Sequence, residues 1–371
     1  MRKGGQAKRE KIELSNRLRC LSLLESVFVS HKRSSLLSNQ VVLMTILPLL
    51  RTRSELVKSV TSAAAERKEN CTSEKKAILD KITSLLENKI CKTQLDGKAN
   101  LDACNTVASQ VMVEMKKVQN AAHCKCCSCL LVLLVKAVGQ QGDESISFAR
   151  SFYDSAVKEW STKRNTKLQV NVFDELVNRH QSIARIVLVK TIIEASTEGR
   201  NAYIKAESFR ILSVLYNIQP PKDTNGDEDE NMEDAAVQSN AALQESIPAF
   251  AASLENALSD TDSELTKAKR VKDIVKSAER LVKFASTCYG NESVWNSLKK
   301  LQSPVQQLAE ASGSNAVKTI CKTLSTAIED GMKLHKEKVL EEEEAKKKMV
   351  AVTPSSSKKK KKKSKKKKGK K

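Results

Sequence analysis

Apolar residues recur at helical spacing along most of the chain, and residues 17–50 show the pattern most plainly. They read RLRCLSLLESVFVSHKRSSLLSNQVVLMTILPLL. Leu18, Leu21, Leu24 and Phe28 repeat every three or four residues, the period of a helix with one buried face. The polar stretch 31–34 predicts an elbow, and Ser34 or Ser35 a cap for a second helix carrying Leu37, Val41, Met44 and Leu47 on one side. Pro48 has no backbone donor and predicts a kink or an end near Leu47. Two such helices cannot bury their apolar faces alone, which is the condition that stacked helical repeats resolve.

The same period predicts helices over 53–70, 73–92, 100–118, 124–138, 145–163, 171–179, 182–196 and 201–217. Asp96-Gly97, Gly139, Gly142 and Gly199 separate some of them, and 163–167 (KRNTK) reads as a polar connection. The segment 182–196 is apolar nearly all round, so it is expected to be the most buried. Pro220-Pro221 breaks the rhythm. Residues 222–240 then hold seven acids with little apolar content, the signature of a disordered acidic loop. Such a loop suits basic partners, or is a solvated linker. Helices are expected to resume near Ala242 and to continue over 263–287, 293–301, 304–311 and 314–348. The organisation predicted is a basic frayed N-terminus (1–12), an armadillo-like array (13–219), an acidic disordered loop (220–241), a second helical segment (242–348) and a disordered Lys-rich tail (349–371).

Composition agrees with an all-α, armadillo/HEAT-like superhelix: aromatics are 4% of the 371 residues, with 11 Gly and 6 Pro. Charge adds something new. The net charge is +21, and twelve of those charges sit in a tail without acids: Lys358, Lys359, Lys360, Lys361, Lys362, Lys363, Lys365, Lys366, Lys367, Lys368, Lys370 and Lys371. A basic tail reads as an electrostatic arm for DNA or RNA phosphates, or as a nuclear or nucleolar address. No aromatic interleaves these lysines, so contact through them is expected to be salt-sensitive and blind to sequence. The ten Cys are scattered, most of them on predicted helices, without the loops of a disulfide scaffold, which fits free thiols in a reducing compartment. The chain opens on charged residues rather than a signal peptide, and the apolar run 130–135 is short for a span, so no membrane partner is expected.

Candidate chemistry is sparse. His123, Cys124, Cys126, Cys127 and Cys129 contain two overlapping C-x-x-C spacings and form a weak candidate metal site. The cluster runs straight into 130–134 (LLVLL), a helix pattern, and lacks a second pair at finger spacing, although Cys91 and Cys104 could approach it in space. A Cys-rich, buried start of a helix is the preferred reading, with no metal and no other cofactor. The four His are far apart, and no Gly-rich phosphate loop, G-x-S-x-G or H-E-x-x-H occurs. The expectation is a binding protein rather than an enzyme, without a small-molecule substrate.

The segment Leu18-Arg19-Cys20-Leu21-Ser22-Leu23-Leu24-Glu25-Ser26-Val27-Phe28-Val29, closed by Ile46-Leu47-Pro48-Leu49-Leu50, resembles the C-terminal half of the Myb-binding protein / DNA polymerase phi family. Ser151-Phe152-Tyr153, Lys158-Glu159-Trp160, Thr166-Lys167-Leu168-Gln169, Phe173 and the segment 202–215 extend the likeness over roughly residues 15–220. The resemblance implies nucleolar roles: binding at ribosomal RNA genes, control of their transcription, ribosome assembly, and contacts with transcription factors. Nothing in these residues supports polymerase activity. Members of that family are much longer, with a helical array upstream. The resemblance therefore implies that this chain is a C-terminal piece, with exposed Leu and Val on the outer edge of its first helix pair.

Overall fold

The computed structural model describes residues 2–34, 37–65, 72–93, 95, 99–139, 143–217, 230–260, 268–288 and 291–351. Among them there is no strand; they fold as an all-α helical-repeat array of the armadillo/HEAT kind. The helices are α1 (Arg2–Ser34), α2 (Asn39–Ala65), α3 (Thr72–Ser84), α4 (Leu101–Met115), α5 (Ala121–Val138), α6 (Asp143–Thr162), α7 (Asn171–Arg179), α8 (Gln181–Glu198), α9 (Ala202–Leu215), α10 (Glu230–Ser259), α11 (Ala268–Thr287), α12 (Glu292–Lys299), α13 (Gln302–Ala311) and α14 (Asn315–Ala351). A π-helical turn (Leu85–Lys89) and a 3-10 turn (Ile90–Lys92) continue α3.

Two layers result. In one, α2 packs on α4, α6 on α8 and α8 on α10; in the other, α1 packs on α3, α5 on α7, α7 on α9, α9 on α11 and α11 on α14. The first layer runs in one direction. Asn39 and Asn100, at the starts of α2 and α4, border one cleft, while Ser54 meets Glu114 further along both helices. The ends of α4 and α6 meet through Lys116 and Glu159, those of α6 and α8 through Ser161 and Arg200. One continuous core, from Leu14 to Ile328, fills the space between the layers. Each fully buried Leu, Ile, Val or Phe within it contributes about 1.5–3 kcal/mol.

Helix starts are set by asparagine. Asn100, Asn120, Asn201 and Asn291 each accept the backbone N–H three residues on, at 2.8–3.1 Å, a cap that contributes about 1 kcal/mol. Gly199 ends α8. A Cβ there would lie 2.5 Å from the Ala195 oxygen, so only glycine lets the chain turn this tightly toward α9.

Several expectations are corrected. The N-terminal stretch is helical from Arg2 rather than frayed, and Glu10–Lys75 (2.9 Å) and Lys11–Glu74 (3.6 Å) tie α1 to α3. The elbow at 31–34 is the last turn of α1; α2 starts at Asn39, and Val42 N–H donates to the Ser38 carbonyl. Pro48 does not end α2, which continues to Ala65 and absorbs the start of the separate helix expected over 53–70. Val42, Ile46, Leu49, Leu50, Leu56 and Val57 are buried on both sides of the proline, and this shared burial offsets one missing hydrogen bond. The acidic-loop boundary moves as well: α10 begins at Glu230, because Ser239, Leu243 and Ile247, one turn apart, are buried and carry the helix back past residue 242. Residues 218–229 and the Lys tail lie outside the described residues.

The most buried helix is α5, with fourteen of eighteen residues buried, against nine of eighteen in α8. Packed by α2, α4, α6, α7 and the π and 3-10 turns, α5 has almost no solvent side. It is also long and apolar enough to cross a membrane by length and composition, and 78% of it is enclosed by its neighbours. The exposed edge expected on α1 is present: Leu23 is 70% and Val27 46% exposed.

Candidate functional site

The twelve tail lysines, Lys358 to Lys371, lie outside the described residues. The other residues singled out by sequence, His123 to Cys129, occupy the first turns of α5 and are split among different surroundings. Residues 124, 126, 127 and 129 cannot face one point on a helix of 3.6 residues per turn. Ser128 Oγ donates to the Cys124 carbonyl, Cys127 lies 3.7 Å from His123 Nε2, and Cys129 Sγ accepts from Arg179 Nη2 at 3.4 Å. Cys91, half-buried on the 3-10 turn, joins Cys126 and Cys129. Cys104 takes no part in this group. Among the described residues no three His, Cys, Asp or Glu are placed to hold a metal ion.

Burial keeps Cys124, Cys126 and Cys127 as thiols. It pushes Cys124 up to about 11 and Cys126 up to about 12. Cys91 is raised first by its hydrogen bond with Cys129 and then by burial. A buried thiol in this state is a poor nucleophile at neutral pH.

His123 belongs to a network that sequence reading missed. Arg53 Nη1 donates to His123 Nδ1 at 2.7 Å and Arg53 Nε to Thr83 Oγ1 at 3.0 Å. Arginine has nothing to accept with, so Nδ1 is unprotonated and Nε2 carries the hydrogen, directed at the Glu114 carbonyl 3.1 Å away. Ser54 Oγ donates to the Glu114 carboxylate (3.1 Å), which also receives Lys117 Nζ (2.7 Å). Arg53, Ser54, Glu114 and His123 are all at most 3% exposed. Serine, histidine and glutamate within reach are the parts of a nucleophilic triad, but the wiring differs. The carboxylate holds the serine, and an arginine faces the imidazole nitrogen that a triad carboxylate would orient. The arrangement pins α2, α4 and α5 together.

A pH dependence follows. Burial lowers the His123 pKa and Arg53 adds to this, against opposing contributions from Glu114; burial lowers His180 too. The unfolded imidazoles take up protons near pH 6.5, while the folded ones resist until lower pH. The unfolded state then binds more protons, so stability is complete above about pH 6.5 and falls as the pH drops below it. Urea midpoints measured from about pH 7.5 to about pH 5.5 should decline, and less so in His123→Gln. A midpoint flat across that range would contradict the network.

A cleft of about 460 Å³ opens between α2 and α4, lined by Leu43, Met44, Leu47 and Val107, with Asn39 and Asn100 at one end. In comparisons with known proteins, no family model and no curated relative matches the chain.

Proposed function

We propose that the protein is a nucleolar regulator of ribosomal RNA gene transcription and ribosome biogenesis that acts by binding nucleic acid and proteins rather than by catalysis. The observation that carries this reading is the tail of twelve lysines without an acid, joined to a helical-repeat array. Such a tail neutralises phosphates irrespective of sequence, and such an array offers extended surfaces for protein partners, here transcription factors or ribosome-assembly proteins. The resemblance of residues 15–220 to the Myb-binding protein / DNA polymerase phi family supplies the ribosomal RNA context.

The apolar α2–α4 cleft, beside an exposed Met44 (68%), favours a second reading. In it the chain is a nuclear scaffold or adaptor whose tail is only an address. Deleting residues 358–371 separates the two. The first reading expects loss of nucleolar retention and a salt dependence of DNA or RNA binding shallower by about 5 in log–log slope, if the tail neutralises about six phosphates at roughly 0.9 each. Mislocalisation with unchanged binding at low salt would leave the adaptor reading standing and remove the tail as a contact.

A further inference from the structure

Three turns from separate helix pairs meet along one edge of the array: α4–α5, α6–α7 and α8–α9. Glu159, near the end of α6, ties the first two together. It receives Lys116 Nζ at 2.7 Å, Lys163 Nζ at 3.4 Å and Thr166 Oγ1 at 3.2 Å. Lys167 Nζ donates across to the Lys117 carbonyl at 3.4 Å. Arg200 N–H donates to the Ser161 carbonyl at 3.0 Å and fixes the third turn beside the second.

We propose that this edge is a phosphate-binding ridge that grips the backbone of a nucleic acid, separately from the Lys tail. The proposal rests on the reading that the protein engages nucleic acid.

Positive charge is in excess along the ridge. Glu159 alone faces Lys116 and Lys163, and Glu114 is shared by Lys117 and Arg51. Arg164 and Arg200 are exposed, and neither has an ion pair among the described residues. Cations therefore outnumber acids, and side-chain contacts hold Lys116, Lys163 and Lys167 while the backbone bond of Arg200 keeps its turn beside theirs. Turns fixed beside one another suit a polyphosphate, because little loop freedom is lost on binding. The ridge also has little to offer an apolar partner. Residues 163–167 (KRNTK) contain no apolar side chain, so an acidic amphipathic helix would find nothing to bury and a bilayer nothing to take up. Tyr203, on the first turn of α9 and 51% exposed, offers a face on which a base can stack. The neighbouring cleft between α6 and α8 is mixed in charge, with Asp154, Glu194 and Glu198 beside Lys158 and Lys190, and so suits a phosphate less well than the turns.

The test uses the full chain carrying Lys163→Gln, Arg164→Gln, Lys167→Gln and Arg200→Gln. Binding to a short DNA duplex and to a single-stranded RNA is measured by fluorescence anisotropy across a salt series, with circular dichroism to verify folding. The expected result is weaker binding and a log–log salt slope shallower by about 3–4, for four phosphate contacts at roughly 0.7–0.9 each. The comparison variant replaces Lys272, Lys276, Lys318 and Lys322, exposed on α11 and α14, by Gln. An equal loss in that variant would reduce the effect to net charge and overturn the ridge. A third variant with the tail lysines changed to Ser separates the two contacts. If it loses binding while the ridge variant binds like the parent, the ridge is wrong and the tail stands. If neither variant changes binding, both readings fail. Loss of polyglutamate binding with nucleic-acid binding intact would assign the ridge to an acidic protein instead.

Discussion

Trp160→Ala is expected to lower the unfolding free energy by about 3–5 kcal/mol, a large share of the roughly 5–15 kcal/mol that holds a typical domain together. Trp160 sits on the last turns of α6 and is 2% exposed. Its ring meets Phe173 of α7 edge-on, at 5.3 Å and 65°, and Phe173 in turn lies 6.5 Å from Tyr153. The indole therefore spans the junction where α6 ends and α7 begins, beneath the 163–170 connection. Neighbours fixed by two helices cannot collapse fully into the space left, so a cavity cost adds to the lost burial. Trp160→Phe keeps an aromatic edge for Phe173 and should lose less. Urea unfolding followed by circular dichroism measures both. A Trp160→Ala variant within about 1 kcal/mol of the parent would mean that this junction is not packed as described.

The junction also links stability to the ridge. Lys163, Arg164 and Lys167 leave α6 immediately after Trp160, and their spacing from Lys117 and Arg200 depends on α6 ending where it does. A cavity under that turn should loosen the cation row even though no charge is changed. The ridge substitutions remove only the exposed contacts of Lys163 and Lys167, so they should cost at most about 1 kcal/mol of stability.

These features differ in how far local sequence exposes them. Helical period is local, so α4, α6, α7, α9, α12 and α13 fall within a few residues of expectation. The exposed Leu23 and Val27 answer an expectation that came from the resemblance to a longer array and not from the helical period. Features set by tertiary contact were not legible. Pro48 signals a break only when the burial on both sides of it is unknown. The charges of Glu10 and Lys11 read as solvated until Lys75 and Glu74, more than sixty residues away, are brought opposite them. The stretch 163–167 reads as a connection because the other two turns of the ridge come from distant sequence. Arg53 and His123, seventy residues apart, gave no joint signal at all.

That last pair predicts a strongly non-additive result. His123→Phe alone leaves a buried guanidinium nitrogen without its acceptor, and is expected to cost about 2–3 kcal/mol, the upper part of the range for an orphaned buried hydrogen-bonding group. Arg53→Met alone leaves the imidazole Nδ1 acceptor unsatisfied, at a cost of about 1–3 kcal/mol. In the double variant neither orphan exists, and the groups around them keep other partners. Thr83 Oγ1 still donates to the Leu79 carbonyl, Ser54 Oγ has the Leu50 carbonyl or the Glu114 carboxylate as acceptor for its one hydrogen, and the Glu114 carbonyl still accepts the Lys117 N–H. The double variant should therefore cost less than the two single changes added together, by roughly 1–3 kcal/mol. It should also lose the part of the decline in stability below about pH 6.5 that His123 supplies. Urea midpoints of the four proteins at about pH 7.5 and about pH 5.5 give both quantities. Additive costs would show that Arg53 and His123 are not coupled, and a pH decline that survives the double substitution unchanged would show that buried His123 does not supply it.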